Sequence, residues 1–222
     1  MLQHGPIWQR QSNRNNTEHA MKSNPAIAVI GCGYWGKNHV RTLSELGVLF
    51  AVADKDQDRA DALATSFGVE ALSTGAAIRD PRIDAVVLAL PPQLHAEFAL
   101  AAIAAGKHVL VEQPIALTPD AAIRVVEAGK RAGVTVMTGH VLRFHPAFEA
   151  LAEMVAAGAL GKLQYVHSHR VGLGKFHTEN DALWDIAPHD LSLILALTGE
   201  EPEDIRGEGS AVLNHLSDFA HL

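Results

Sequence analysis

One cysteine, Cys32, occurs in 222 residues. An intramolecular disulfide is thereby excluded, and a reducing compartment is the natural setting, with the cytoplasm as the default. No apolar run reaches membrane-spanning length, because Pro, Gly or charge interrupts the longest of them. A basic face is also missing. Lys and Arg number 18 against 25 Asp and Glu, a formal net charge of −7, which speaks against a nucleic-acid or anionic-membrane partner. The first twenty residues, MLQHGPIWQRQSNRNNTEHA, carry neither an apolar stretch nor any periodicity. They are not a secretory signal, residues 1–24 are expected to be a disordered tail, and Met21 is an alternative natural start.

What remains is an ordinary globular composition, 48% hydrophobic, with enough chain for one large domain or two modest ones. Ala26 to Ile30 is a short apolar run ending in Gly, the form of a strand buried on both faces. GCGYWGKNHVRTLSELG then reads as a tight turn and a helix stopped by Gly47. Val48 to Ala53 is a second buried strand ending at Asp54, and Asp58 to Phe67 a helix closed by Gly68. Ile83 to Leu90 is a strand that Pro91-Pro92 terminates. Leu94 to Ala105 is an Ala-rich helix ended by Gly106, and His108 to Val111 a further strand. Thr118-Pro119 begins a helix to about Ala132, with Val134 to Thr138 as one more strand. Strand and helix alternate with short connections, which predicts an α/β fold, a doubly wound Rossmann parallel sheet over residues 25–143.

From about Phe144 the texture changes. A helix from Pro146 to Ala157 precedes the alternating segment Leu163 to Val171, expected to be an antiparallel strand with one wet face. LWDIAPHDLSLILALTG is a helix ending at Gly199, and Ile205 to Leu222 holds the strand-like pieces SAVLNHL and DFAHL. Residues 144–222 are therefore expected to form an incomplete α+β domain with an open-faced sheet.

Gly31-x-Gly33-x-x-Gly36 follows a buried strand, opens a helix, and is trailed by Asp54 at the end of the next strand, 23 residues after Gly31. In that context the glycines form a dinucleotide fingerprint. Gly31 permits the tight turn, Gly33 lets the backbone approach a pyrophosphate, and Gly36 allows close helix–strand packing. The helix N-terminus offers its N–H groups and positive dipole end to the phosphates. Asp54 would accept hydrogen bonds from the adenosine ribose and repel a 2′-phosphate, so NAD is the expected cofactor rather than NADP.

The stretches VIGCGYWGKNH, the Asp54 strand end, LPPQLHAEFALAAIAAGKHVLVEQP, GHVLRFHP and LWDIAPHDLS resemble the glucose-fructose oxidoreductase / inositol dehydrogenase (Gfo/Idh/MocA) family. Within it, GYWGKNHVRTLSELG with LWDIAPHDLS is similar to the UDP-N-acetylhexosamine 3-dehydrogenase branch. The resemblance implies an NAD(P)-dependent oxidoreductase acting on a hydroxyl of a sugar or UDP-sugar, with a second domain that carries substrate contacts and often the interface of a homo-oligomer. It departs from the family at Glu112-Gln113-Pro114, where the family has Glu-Lys-Pro. The family also runs on by roughly a hundred residues, so the expectation is a chain cut short within its second sheet.

Oxidising a secondary alcohol needs a hydride acceptor over the carbinol carbon and a base on the hydroxyl proton. His189 is the candidate base, and Asp185, four residues earlier on one helix face, would orient it. The resemblance maps the family's Asp-x-x-x-His pattern onto these two. The alternative is a capping Asp with an incidental His beside Pro188. Gln113 stands where the family's lysine contacts the reacting hydroxyl; it can hydrogen-bond but carries no charge. Glu112 shapes the turn, Pro114 is a candidate cis residue, and Tyr34, Trp35, Pro91 and His95 are counted with the cofactor site. For His95 the alternative is a solvent-facing residue at a helix start. Trp35 and Trp184 also read simply as packing residues. His140 and Arg143 are candidate substrate contacts, Arg143 as a clamp for phosphate or carboxylate or as a bridge between domains. His167, His169 and His177 invite a metal reading, but no Cys accompanies them and the acidic residues lack ligand spacing, so no metal is assigned. The rival functions are a non-enzymatic NAD-binding or sensing protein and an inactive fragment of an enzyme.

Overall fold

A computed structural model describes residues 24–171, 181–213 and 215–222. The expectations for the N-terminal tail, for Met21 and for His177 lie outside the described residues. Two compact units divide between Gly139 and His140.

In the first unit, β1 (Ile27–Ile30), β2 (Leu49–Ala53), β3 (Glu70–Leu72), β4 (Ala85–Leu88), β5 (His108–Val111) and β6 (Val136–Thr138) alternate with α1 (Tyr34–Glu45), α2 (Gln57–Phe67), α3 (Thr74–Arg79), α4 (Pro92–Ala104) and α5 (Pro119–Ala132). The strands form one parallel sheet in the order β3-β2-β1-β4-β5-β6. Side chains alternate across the sheet. Ala28, Ile30, Val86 and Leu88 pack into the core layer that α4 completes with Ala99, Ala102 and Ile103. Val29, Val52 and Val87 join Val40 of α1 and Ala64 of α2 on the opposite layer. Burial on both faces is why these strands read as unbroken apolar runs.

The helix ends follow local chemistry. Asp56, Ser73 and Thr118 cap α2, α3 and α5 with side-chain oxygens that accept from Arg59, Ala76 and Ala121 backbone N–H groups. Gly68 and Gly133 close α2 and α5 in the left-handed conformation, at φ +67° and +68°. The helix expected from Leu94 begins at Pro92, where the ring's fixed φ suits a first turn. Elements β3 and α3 add to the expected pattern; at three and six residues they are too short to show a period.

The second unit holds a 3-10 helix (Val141–Phe144), α6 (Pro146–Ala156), α7 (Ala182–Thr198) and an antiparallel pair, β7 (Glu208–Ser210) with β8 (Phe219–His221). The segment Leu163 to Val171 is not a strand. Alternation alone makes no ladder: a strand needs a paired neighbour, and the two-stranded sheet among the described residues does not include this segment. Among its described residues SAVLNHL contributes only Ser210 to a strand, while DFAHL supplies β8. Among the described residues no helix is long and apolar enough to cross a membrane.

Candidate active site

The turn after β1 sits where the strand order reverses, between β1 and β4, the place where open α/β sheets bind ligands. Gly31 has φ +99°, and a Cβ there would lie 2.2 Å from the Ala89 carbonyl oxygen that follows β4. A Cβ on Gly36 would lie 1.7 Å from the Gly31 carbonyl oxygen. Gly36 thus seats α1 on the turn itself rather than chiefly on a strand, with the Ala89 side chain next at 3.6 Å. Gly33 differs: a Cβ there meets nothing within 4 Å. Among the described residues no side chain caps the α1 N-terminus, and no acidic residue stands in its first turn. An open backbone surface under an uncompensated helix end fits a pyrophosphate. Tyr34 and Trp35 begin α1 with their rings edge to face, 5.9 Å apart. They are 81% and 53% exposed, so Trp35 packs against Tyr34 and not into a core.

Asp54 is nearly buried at the end of β2 and already holds the turn. Its Oδ2 accepts from the Cys32 backbone N–H at 2.6 Å and its Oδ1 from the Asp56 N–H at 2.9 Å. The Arg59 guanidinium lies 3.5 Å from Oδ1 and 3.1 Å from Asp56, a cation that the motif did not foretell. A carboxylate has about four acceptor positions, so these bonds leave capacity for a ribose hydroxyl. Burial, first, and the Asp54 charge push the Cys32 thiol up to about 11, which leaves it unreactive at neutral pH.

At the ends of β4 and β5 the sequence placed Pro91, His95, Glu112 and Gln113. Pro91 is exposed at the α4 N-cap. His95 is 1% exposed, which overturns the solvent-facing alternative. Its Nδ1 lies 2.7 Å from the Pro114 carbonyl oxygen and its Nε2 2.7 Å from that of Leu90, so both ring nitrogens are committed to the protein. Any bearing of His95 on a cofactor is therefore through these two loops. Glu112 Oε1 accepts from His39 Nε2 of α1 at 2.5 Å, and Gly139 leaves room for its other oxygen, 2.8 Å from where a Cβ would stand. His39 was not singled out in the sequence; the only signal was its place three residues past the glycine motif. Gln113 is half-buried, and the Gln113–Pro114 peptide is cis, as Pro114 allowed.

The remaining candidates belong to the second unit. His140 precedes the 3-10 helix and Arg143 lies within it; both are half-buried, and that helix packs against α7. Asp185 and His189 are half-buried on α7, one turn apart. The α7 cap is Asp181, whose carboxylate accepts from the Trp184 N–H at 2.8 Å, so the alternative that made Asp185 a capping residue does not hold. Pro188 sits inside α7 and deletes one helix hydrogen bond just before His189. Trp184 is 40% exposed. Arg170 binds Asp190 at 2.8 Å, a pair the sequence did not disclose. The rings of His167 and His169 lie near parallel, 6.2 Å apart.

Residues 26–140 match the oxidoreductase family with an NAD-binding Rossmann fold, GFO/IDH/MocA, and residues 148–221 match the GFO/IDH/MocA C-terminal domain. The chain belongs to this family, and its first unit is the NAD-binding Rossmann domain. It is 37% identical to inositol 2-dehydrogenase 2 of Saccharopolyspora erythraea over 79% of the chain and 54% of that protein. It is 30% identical to UDP-N-acetylglucosamine 3-dehydrogenase of Acidithiobacillus ferrooxidans over 86% of the chain and 60% of that protein. A crystal form of the latter superimposes with a TM-score of 0.81, at 29% identity, over 90% of this chain and 65% of that one. A 3-ketoreductase of Actinomadura kijaniata, solved with NADP and TDP-benzene, matches at 31% identity and a TM-score of 0.57, over 61% of this chain and 43% of that one. The chain thus spans little more than half the length of the two curated relatives.

Proposed function

We propose that the chain belongs to an NAD-dependent dehydrogenase that oxidises a secondary hydroxyl of a cyclic polyol, a sugar or a UDP-sugar, working in the cytoplasm as a homo-oligomer. The observation that carries this is the open backbone surface at Gly33 beside the buried Asp54 carboxylate. When bound, NAD supplies the hydride acceptor. The α1 N-terminus and Gly31, Gly33 and Gly36 hold the pyrophosphate; Asp54 takes the ribose and disfavours a 2′-phosphate; Tyr34, Trp35, Pro91 and Glu112 flank the dinucleotide. His189 accepts the hydroxyl proton, Asp185 orients it, Gln113 hydrogen-bonds the reacting oxygen, and His140 with Arg143 contacts the rest of the substrate. UDP-N-acetylglucosamine and myo-inositol are the first substrates to test, because relatives are named for each.

Calorimetry with NADH and NADPH tests the cofactor half. NADH is expected to bind at least about tenfold tighter, or about 1.4 kcal/mol. Equal affinities would remove the role given to Asp54 and point to Arg59 as a phosphate partner. A second reading, a non-catalytic NAD-binding protein, is favoured by one residue, Gln113. A lysine there would place a charge on the developing alkoxide, and charge-assisted bonds are about twice as strong as neutral ones. Gln113→Lys, made in a chain with a completed second domain, is therefore expected to raise kcat by about tenfold or more over the equally completed parent, with little change in NADH affinity. If parent and variant both bind NADH and neither forms it from any of these substrates, the non-catalytic reading prevails.

A further inference from the structure

The ring of His95 touches two carbonyl oxygens, those of Leu90 and Pro114, at 2.7 Å each. A carbonyl only accepts, so each contact requires an N–H on the ring. Neutral imidazole has one. Turning the ring over does not help, since carbon atoms would then stand at 2.7 Å where C–H···O contacts settle at about 3.3–3.6 Å. A lone pair aimed at a carbonyl oxygen at that distance is repulsive. Only the ring that carries both protons satisfies both contacts.

We infer that His95 is an imidazolium clamp that ties the loop after β4 to the turn after β5, and so is a positioning residue for Gln113, one residue before Pro114. The relevance of Gln113 rests on the proposed dehydrogenase function; the protonation of His95 does not. Burial and the positive end of α4 both oppose a charge here, so the two charge-assisted carbonyl bonds supply its stabilisation. No carboxylate among the described residues bonds the ring. Glu112, at the end of β5, is held by His39, and His108, at the other end, accepts from the Thr135 N–H. Glu97 of α4, Arg79 of α3, and Asp120, Arg124, Glu127, Lys130 and Arg131 of α5 are all exposed. A ring that lost one proton would leave one of the two half-buried carbonyls without its bond to the ring and loosen one loop.

Long-range proton–nitrogen spectra of the full 15N-labelled chain near neutral pH count the protons on each ring, and the signals missing in His95→Gln identify His95. Two protonated ring nitrogens are expected; a single one overturns the inference. The positioning half is read by amide hydrogen exchange at Gln113, Ile115 and Ala116. His95→Phe, which fills the site without N–H groups, is expected to speed that exchange by about tenfold. Should the Phe variant fail to fold, His95→Gln, able to reach one carbonyl, is expected to give a smaller increase. Unchanged exchange in a folded variant overturns the positioning role. A parent that binds no NADH would break the proposed function, and the proton count would still decide the state of His95.

Discussion

Between Ile27 and Val125 the chain buries apolar side chains on both faces of a parallel sheet, whereas from His140 to Leu222 the only buried residue among those described is Ser192. Local sequence quality does not separate the two regions. Thr118 caps α5 and Asp181 caps α7 by the same side-chain bond, and Gly133 and Gly199 end those helices at the same left-handed φ of +68°. The apolar residues are there as well: Leu191 and Leu195 of α7 are each 44% exposed, while Ala99, Ala102 and Ile103 of α4 are buried. What differs is the layer opposite. Helix α4 lies on a six-stranded sheet, and the described residues of the second unit offer a two-stranded one. Caps and periodicity make helices, and only a facing layer makes a core.

The sharpest way to use this contrast is chemical. If the first unit binds the dinucleotide and the second supplies the base, His189→Ala should cost about 10²–10⁴-fold in turnover while NADH affinity stays put. Steady-state NADH formation beside a calorimetric titration separates the two effects, and full turnover in the variant would place the base elsewhere. Next in size is a pair of glycines. Gly36→Ala drives a Cβ against the Gly31 carbonyl and should lower stability by about 3 kcal/mol and weaken NADH binding. Gly199→Ala meets no atom within 4 Å and should lose only about 1 kcal/mol, from its φ of +68°. Urea melts of both variants check the ratio.

Truncating one leucine-sized side chain in each unit probes the cores directly. Ile103→Ala should destabilise by about 2–4 kcal/mol, through lost transfer energy and the cavity left behind. Leu195→Ala, at a position 44% exposed, should stay within about 0.5 kcal/mol. Comparable losses would mean that the second unit has an apolar core of its own in solution.

The Rossmann elements were legible because each rests on a local rule. Buried parallel strands read as apolar runs, proline and glycine mark the ends, and the glycine motif is dictated by backbone geometry at Gly31 and Gly36. Beyond β3 and α3, which are too short to show a period, failures came where the deciding partner is far away in sequence or absent. His39 meets Glu112 across 73 residues, and the second contact of His95 reaches 19 residues ahead to Pro114. Neither pairing leaves a period or a motif. Leu163 to Val171 alternates as a strand does, yet the ladder that would make it one is not among the described pairings. The candidate site splits the same way. Its phosphate cradle was legible, and the links that hold Asp54, Glu112 and His95 were not.

The smallest expected effect concerns an exposed corner of the first unit, and it asks whether surface charge adds to what the core already secures. Arg82 bridges two acids there: its Nη2 lies 2.6 Å from Asp80 and its Nη1 2.7 Å from Glu70. The guanidinium also covers the Phe50 ring, 4.8 Å from its centroid. The side-chain bonds from Arg82, then its backbone N–H, pull the Asp80 carboxyl from its ordinary 3.8 down to about 2. A carboxyl depressed in the folded state binds its proton more readily in the unfolded chain, so its contribution is complete above the unfolded value and is lost as the solution is acidified. The window therefore opens near pH 3.8 and closes as pH falls through about 2. Asp80→Asn keeps an oxygen for the Arg82 N–H and removes the charge. Parent and variant should differ by a small, constant amount in urea midpoint at neutral pH, and the difference should vanish through that window. Salt should shrink it too, because solvent and ions screen an exposed pair. Lys107, nearly buried and donating to the Asp80 and Ile83 carbonyls, is untouched by the substitution and keeps the turn closed. A difference that persists unchanged to the acid end would show that it does not come from the Asp80 charge, and no difference at neutral pH would mean that the lysine and the backbone hold the corner with the ion pair contributing nothing.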